Sequence, residues 1–270
     1  MVNFVAVASL ILAGGINRLD ILAILIISGV LAVAGAGSFN NYLDRDLDAA
    51  MVRTKKRPIP AGKITPAKKV LFMGFILSIS SILISWQFIN VDTSFFIGLG
   101  LFTYVVIYTM WLKRRHSSNI VLGGFAGSAA SLAGWSAIQS LTIVPILMAL
   151  VIFLWTPSHF WALALKLRED YAKVKLPMLP SLNVRKCCII ILLNTIILVS
   201  SSLILFFLGG KGPIYLISAI LSGSIMIWTN LKMLSDPSQK NLWNAYKFSS
   251  TYLIIFLVAL IIDSGVRGSL

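Results

Sequence analysis

The residues best placed to do chemistry lie in one stretch, Asn40-Asn-Tyr-Leu-Asp-Arg-Asp-Leu-Asp48. Asn40, Asp44 and Asp48 recur at i, i+4 and i+8. If the apolar helix before them continues, residues four apart are neighbours, with about 5–6 Å between Cβ atoms. Two carboxylates and an amide oxygen then line one face, and Asp46 points elsewhere. Stacked carboxylates repel, so a cation should accompany them. Mg²⁺ is a natural candidate, because it takes oxygen ligands, keeps several waters and joins one or two carboxylates to a substrate phosphate. Arg53, Lys55, Lys56 and Arg57 follow, with Arg53 and Arg57 again at i, i+4, before the helix stop Pro58-Ile-Pro60. Arginine offers a planar fork to phosphate oxygens. Such a segment suits a metal–phosphate ligand; a solvated loop whose acids pair with its own bases is the plainer alternative.

A second acidic group closes a later apolar run. Lys166 and Asp170 stand one helical turn apart, with Glu169 beside Asp170. His159 lies inside the run, roughly 16 Å before Asp170 at 1.5 Å per helical residue. An ionisable group at membrane depth is a functional hypothesis by default, and a hydrogen-bonded core histidine or a packing role beside Pro157 stays open. Trp155, Phe160 and Trp161 are interfacial belt residues or the walls of a flat pocket. Between the two acidic groups, Lys113, Arg114 and Arg115 supply more cations, or simply anchor topology. The run after them is rich in small residues, among them Gly123, Gly124, Ala126, Ala129, Ala130 and Gly134. Such residues let helices approach closely and equally leave room for a bulky ligand.

The elements that must position these groups are membrane helices. Of the 270 residues, 58% are hydrophobic and only 12% charged, about half the charge density of soluble domains. A soluble enzyme, a disordered chain and a disulfide scaffold are excluded. Spans of roughly 20 apolar residues are expected at 2–16, 21–39, 70–89, 95–112, 120–138, 142–165, 187–208, 213–231 and 248–262. The expected fold is an all-α polytopic bundle of about nine transmembrane helices, forming one domain over 1–270. Adjacent Cys187 and Cys188 read as ordinary helix residues.

Net charge is +14, and twenty of the 23 Lys+Arg fall in segments 40–69, 113–119, 166–186 and 232–247. The positive-inside rule makes those segments and the N-terminus cytoplasmic and puts the C-terminus outside, in a cell membrane. The basic excess therefore has a topological reading, and nucleic acid drops out as a partner. Six of the nine acids share that same face.

Asn40-x3-Asp44-x3-Asp48 after helix two, with an acidic segment after helix six, resembles the UbiA superfamily of intramembrane prenyltransferases. Arg53-Thr-Lys-Lys-Arg-Pro, Leu112-Lys-Arg-Arg, Asn119-Ile-Val-Leu-Gly-Gly, Thr156-Pro-Ser-His-Phe-Trp, Asp170-Tyr and Pro177-Met-Leu-Pro are similar to its haem-farnesylating branch. The likeness runs from about residue 30 to 185 and more loosely beyond. Three departures stand out. Lys166 replaces the first acid of the family's usual second Asp-x3-Asp. The usual Lys-Pro-Arg entry to helix one is absent. Ser131-Leu-Ala precedes Gly134-Trp135 where Pro-Pro is usual.

The resemblance implies a UbiA-type fold and transfer of farnesyl from farnesyl diphosphate to a vinyl group of haem b, giving haem O. Haem b would be substrate, not a prosthetic group, and Mg²⁺ the cofactor. Asn40, Asp44, Asp48 and Asp170 would hold metal, with Asp44, Asp48 and Asp170 catalytic. Arg53, Arg57 and Lys113 would clamp diphosphate, and His159 would face the haem iron or position the porphyrin. Membrane lipid surrounds the site, and a partner enzyme of haem A synthesis fits the pathway. A sibling enzyme with a quinone precursor or other lipid acceptor, a transporter and a non-catalytic haem-handling protein are the alternatives.

Overall fold

The computed structural model describes residues 1–268, so the last two residues of the expected domain and the C-terminus itself lie outside it. Among the described residues every element is helical. They are α1 (Val2–Leu12), α2 (Leu19–Leu43), α3 (Arg45–Ala50), α4 (Lys68–Phe88), α5 (Val91–Phe102), α6 (Asn119–Gly123), α7 (Phe125–Ser136), α8 (Ile143–Lys166), α9 (Arg168–Lys173), α10 (Val184–Leu208), α11 (Pro213–Ser235) and α12 (Gln239–Val266). α5 runs without a break into a π-helix, Thr103–Leu112. Seven of these passages are long and apolar enough to cross a membrane. The eleven-residue α1 and the α6–α7 pair, parted at Gly124, occupy the other two expected positions. The protein is an integral membrane protein.

Several boundaries move for local reasons. The first expected span stops at Leu12, because Gly14 takes φ +86 and turns the chain into a 3₁₀ segment. A positive φ is easy for glycine, which lacks a Cβ. α12 begins at Gln239, well before the apolar run expected at 248. Asn90 caps α5 by accepting from Thr93 N–H at 2.7 Å, and Pro213 opens α11 where its missing N–H costs nothing.

Lipid tails are as apolar as leucine, so helices in a bilayer associate through close packing and polar contacts rather than hydrophobic drive. α1 meets α7 so closely at Gly134 that any Cβ there would collide with the Ala6 backbone, and Ser9 and Ser131 hydroxyls bond at 2.8 Å beside it. α2 and α4 touch at Gly35 and Gly74, and Ser81 Oγ donates to Ser28 O at 2.6 Å. Asn90 Nδ2 donates to Ser136 O at 2.7 Å, tying α5 to α7. In α8, Pro157 lacks the N–H that would complete the helix. Beside that break Asn194 of α10 donates to Leu154 O at 2.7 Å and to Ser158 Oγ at 2.8 Å, tying α10 to α8. Large apolar side chains such as Phe72, Phe75 and Trp86 face outward from α4, as a lipid-facing surface requires. Cys187 and Cys188 are free and buried in α10, as expected.

Gly134→Leu should therefore separate α1 from α7. Overpacking of this kind costs about 1–3 kcal/mol, which would lower the unfolding temperature of the detergent-solubilised protein; an unchanged temperature would contradict the close approach.

Candidate functional site

α2 ends at Leu43, and Asp44 (φ −95, ψ 9) bends the chain into α3. The bend preserves helical register. Asp44 N–H donates to Asn40 O at 2.9 Å, and Asp48 N–H donates to Asp44 O at 2.8 Å. Asn40, Asp44 and Asp48 thus keep the one-turn spacing expected of them. Asp44 and Asp48 are only 2% and 4% exposed.

Each buried carboxylate has its cations. Lys113 Nζ pairs with Asp44 Oδ2, which also accepts from Asn40 Nδ2 at 2.7 Å. Arg57 pairs with Asp48 at 2.8 Å. Arg114 reaches Asp46 at 2.6 Å and Leu43 O at 2.8 Å, and lies 3.7 Å from Asp44 Oδ1. The Arg114 hydrogen bond holds the Asp46 carboxyl well below the usual carboxylate range, at about 2.

The expected helix up to Pro58 is corrected here, because α3 stops at Ala50 and turns follow. Thr54 Oγ1 donates to Asp48 O at 3.1 Å, answering a carbonyl that a helix end leaves unpaired. Arg53 and Arg57 therefore do not share a regular helix. Arg57 turns inward to Asp48, whereas Arg53 is exposed.

Lys113 reaches Asp44 by way of the π-helix. Its N–H donates to Tyr108 O at 2.8 Å, five residues back, and Thr109 Oγ1 donates to Tyr104 O at 2.8 Å. Tyr104 and Tyr108 lie with ring centroids 5.5 Å apart, and Lys113 Nζ sits 5.5 Å from the Tyr108 ring. A Cβ on Gly123 would come within 2.8 Å of Tyr108, so that glycine makes room for the ring. π-helical segments recur at functional sites.

Below Tyr104 opens a cavity of about 310 Å³ between α1, α2, α5 and α7, walled by small residues such as Gly29, Ala36, Gly100, Ala126 and Ala130. The small residues expected to give either close packing or room for a ligand do both.

The remaining candidates sit elsewhere. Asp170 lies on α9, 3.6 Å from Lys173. Among the described residues no three His, Cys, Asp or Glu side chains gather at metal-holding distance, so Asp170 does not join Asp44 and Asp48 in one cluster. α9 is nevertheless tied to α3, because Tyr171 and Leu47 pack on one apolar cluster. Lys166 turns to α12, with Nζ 4.0 Å over the Trp243 ring. His159 is 7% exposed and stacked between Trp155 and Tyr246, each 4.5 Å away, with Nδ1 2.7 Å from Ser249 Oγ. The stack continues from Tyr246 to Trp243 at 5.2 Å.

Oxygen ligands for a hard cation are present. Asp44 Oδ1 is buried without a hydrogen-bond partner, and Asn40, Asp44 and Asp48 offer the donor chemistry Mg²⁺ takes.

Comparison with known proteins identifies the family. The profile of the UbiA prenyltransferase family matches residues 2–257. The chain belongs to the UbiA prenyltransferase family. Protoheme IX farnesyltransferase 1 of Cenarchaeum symbiosum is 44% identical over 89% of this chain and 81% of its own length. Protoheme IX farnesyltransferase of Desulforudis audaxviator is 35% identical over 99% and 85%. A solved structure of digeranylgeranylglyceryl phosphate synthase superposes with TM-score 0.81 at 18% identity, covering 97% of this chain and 92% of that one. A UbiA homolog from Archaeoglobus fulgidus, bound to DMAPP and Mg²⁺, superposes with TM-score 0.66 at 14% identity, covering 96% and 95%.

Within this UbiA chain, sequence reasoning passed over Arg114, Thr54 and Tyr104 as parts of the site. Arg114 stood in a cationic run from which only Lys113 was singled out, and Thr54 carried no motif signal. The Asp46–Arg114 pair has a pH signature. Its folded carboxyl titrates below its ordinary 3.8, so its stabilisation is present above about pH 4 and lost as pH falls toward 2. With Asp46 60% exposed, that stabilisation is under about 1 kcal/mol. The unfolding-temperature gap between wild type and Asp46→Asn should close over that pH range; a constant gap would contradict the pairing.

Proposed function

We propose that this chain transfers the farnesyl group of farnesyl diphosphate to a vinyl group of haem b, making haem O in a cell membrane. The observation that carries the donor half is the juxtaposition of buried, cation-paired carboxylates with an apolar cavity, Tyr104 standing at the join. Diphosphate belongs with the cations and the prenyl tail in the cavity. The names of the relatives in Cenarchaeum and Desulforudis support haem as acceptor.

In the reaction the allylic C–O bond breaks and its electron pair leaves on diphosphate. The vinyl electrons form the new C–C bond, and water supplies the hydroxyl with loss of a proton. Stabilising the leaving charge is the main task, and preorganised cations do this best away from bulk water. Arg57, Lys113 and the exposed Arg53 take the diphosphate oxygens. Asn40, Asp44 and Asp48 would hold Mg²⁺, and Asp170, carried separately on α9, would offer a further carboxylate. The chemistry a Mg²⁺ ion would supply there is neutralisation of charge on the diphosphate. Small apolar walls hold the tail and keep water from the allylic carbon.

His159 serves as a positioning residue. Locked by Trp155, Tyr246 and Ser249, it fixes a run of stacked rings that ends at Trp243. That aromatic wall suits a flat macrocycle. The cationic face, with 113–119, 166–186 and the N-terminus, is cytoplasmic, and one prenyltransferase domain spans the chain.

Asp44→Ala and Asp48→Ala should each abolish haem O, measured by mass in pigments from expressing membranes, while the protein still inserts. Full activity in either would sink the metal assignment, and a prenylated quinone precursor in place of haem O would reassign the acceptor. His159→Leu should raise the KM for haem b and leave that for farnesyl diphosphate unchanged. A parallel rise in both would reduce His159 to a packing residue.

A further inference from the structure

The cavity below Tyr104 extends along α2 as far as Leu25. Leu25 lines it, is 2% exposed, and also belongs to the apolar plug formed with Leu10, Ile21 and Ala137. Ile97 of α5 lines the same end and is 9% exposed. The plug is tight: a Cβ on Gly15 would come within 2.7 Å of both Ile138 and Leu10, and Gln139 Nε2 donates to Ala13 O at 2.8 Å across its back.

Helical register gives the depth. On α2 the lining runs from Gly37 to Leu25, roughly 18 Å at 1.5 Å per residue. Along α5 and into the π-helix it runs from Phe96 to Tyr104, whose ring lies beside Tyr108 and so one ring away from Lys113 Nζ. Between these ends the walls are mostly glycine and alanine, which set the bore. Large side chains stand at the floor and set the length.

Given farnesyl diphosphate as the donor proposed above, we propose that Leu25 and Ile97 form a floor that selects prenyl chain length. A chain one isoprene unit longer meets the floor while its diphosphate is still short of Lys113 and Arg57. A chain one unit shorter leaves the floor uncovered and forfeits apolar contact there. Neither side chain touches the reacting carbon. Both act through where they stop the tail.

The test uses the full chain in detergent with haem b and geranyl, farnesyl or geranylgeranyl diphosphate, and reads product mass. Wild type should prefer farnesyl. The double variant Leu25→Ala/Ile97→Ala should shift preference toward geranylgeranyl by about tenfold or more, the scale on which apolar pockets discriminate between substrates differing by a small apolar group. Ala130→Phe, which fills the cavity from α7, should shift it toward geranyl. A gain with the longer donor is something a merely loosened core would not give. If the floor variant loses activity with every donor, Ala130→Phe decides: geranyl transfer at the expense of farnesyl supports the floor, and an unchanged ratio overturns it. Unchanged donor preference in both variants also overturns it. Wild type that moves no prenyl group from any donor fails the proposed function instead, so the two failures are distinct.

Discussion

The ion pair between Asp44 and Lys113 is the contact on which the site depends. It joins the end of α2 to the end of the π-helix, 69 residues apart in sequence. Two charges taken out of water lose several kcal/mol of hydration each, and their attraction repays this only with added hydrogen bonds. Asn40 supplies such a bond to Asp44, and Arg114 adds a second positive charge 3.7 Å away; Arg57 and the Thr54 turn do the same work around Asp48. The charged cluster therefore fixes how two membrane passages meet at one end, and the cavity begins where they part.

The same small residues serve assembly and binding. Gly134 lets α1 and α7 touch, and Gly35 lets α2 and α4 touch. One helical turn before Gly134, Ala130 faces the cavity. Close packing needs small side chains on contacting faces, and turning such a face away from its neighbour leaves a lined hollow. The bundle gains a binding space without giving up helical backbone bonding, which hydrocarbon surroundings demand.

The apolar passages were legible in the sequence, because hydrophobicity and length alone select a membrane helix. So was the register of Asn40, Asp44 and Asp48, since a bend at Asp44 that keeps the i→i−4 bonds leaves the spacing intact. The charge of Lys113 is plain in the sequence, but its route to Asp44 is not: it stands five residues after Tyr108, out of phase in an α-helix and in phase with i→i−5 bonding. The stop of α3 at Ala50 was hidden too, because Thr54 acts through a side-chain bond that periodicity does not register. For His159 the sequence left a packing role beside a haem role, and the two stacked rings and the Ser249 bond give that packing its content.

The π-helix carries a consequence for how the coding sequence can drift. Thr103–Leu112 is held at both ends, by α5 before it and by the Lys113–Asp44 pair after it. Losing or gaining one residue there would turn Lys113 and Arg114 by roughly a quarter turn about the helix axis. Lys113 and Arg114 would then leave Asp44 and Asp46 for the lipid or the neighbouring helices. Tyr104, Tyr108 and Thr109 have work to do here, and beyond them the count of residues matters more than which side chains they carry. The segment behaves as a spacer of fixed length, and its reading frame is under stricter constraint than most of its letters.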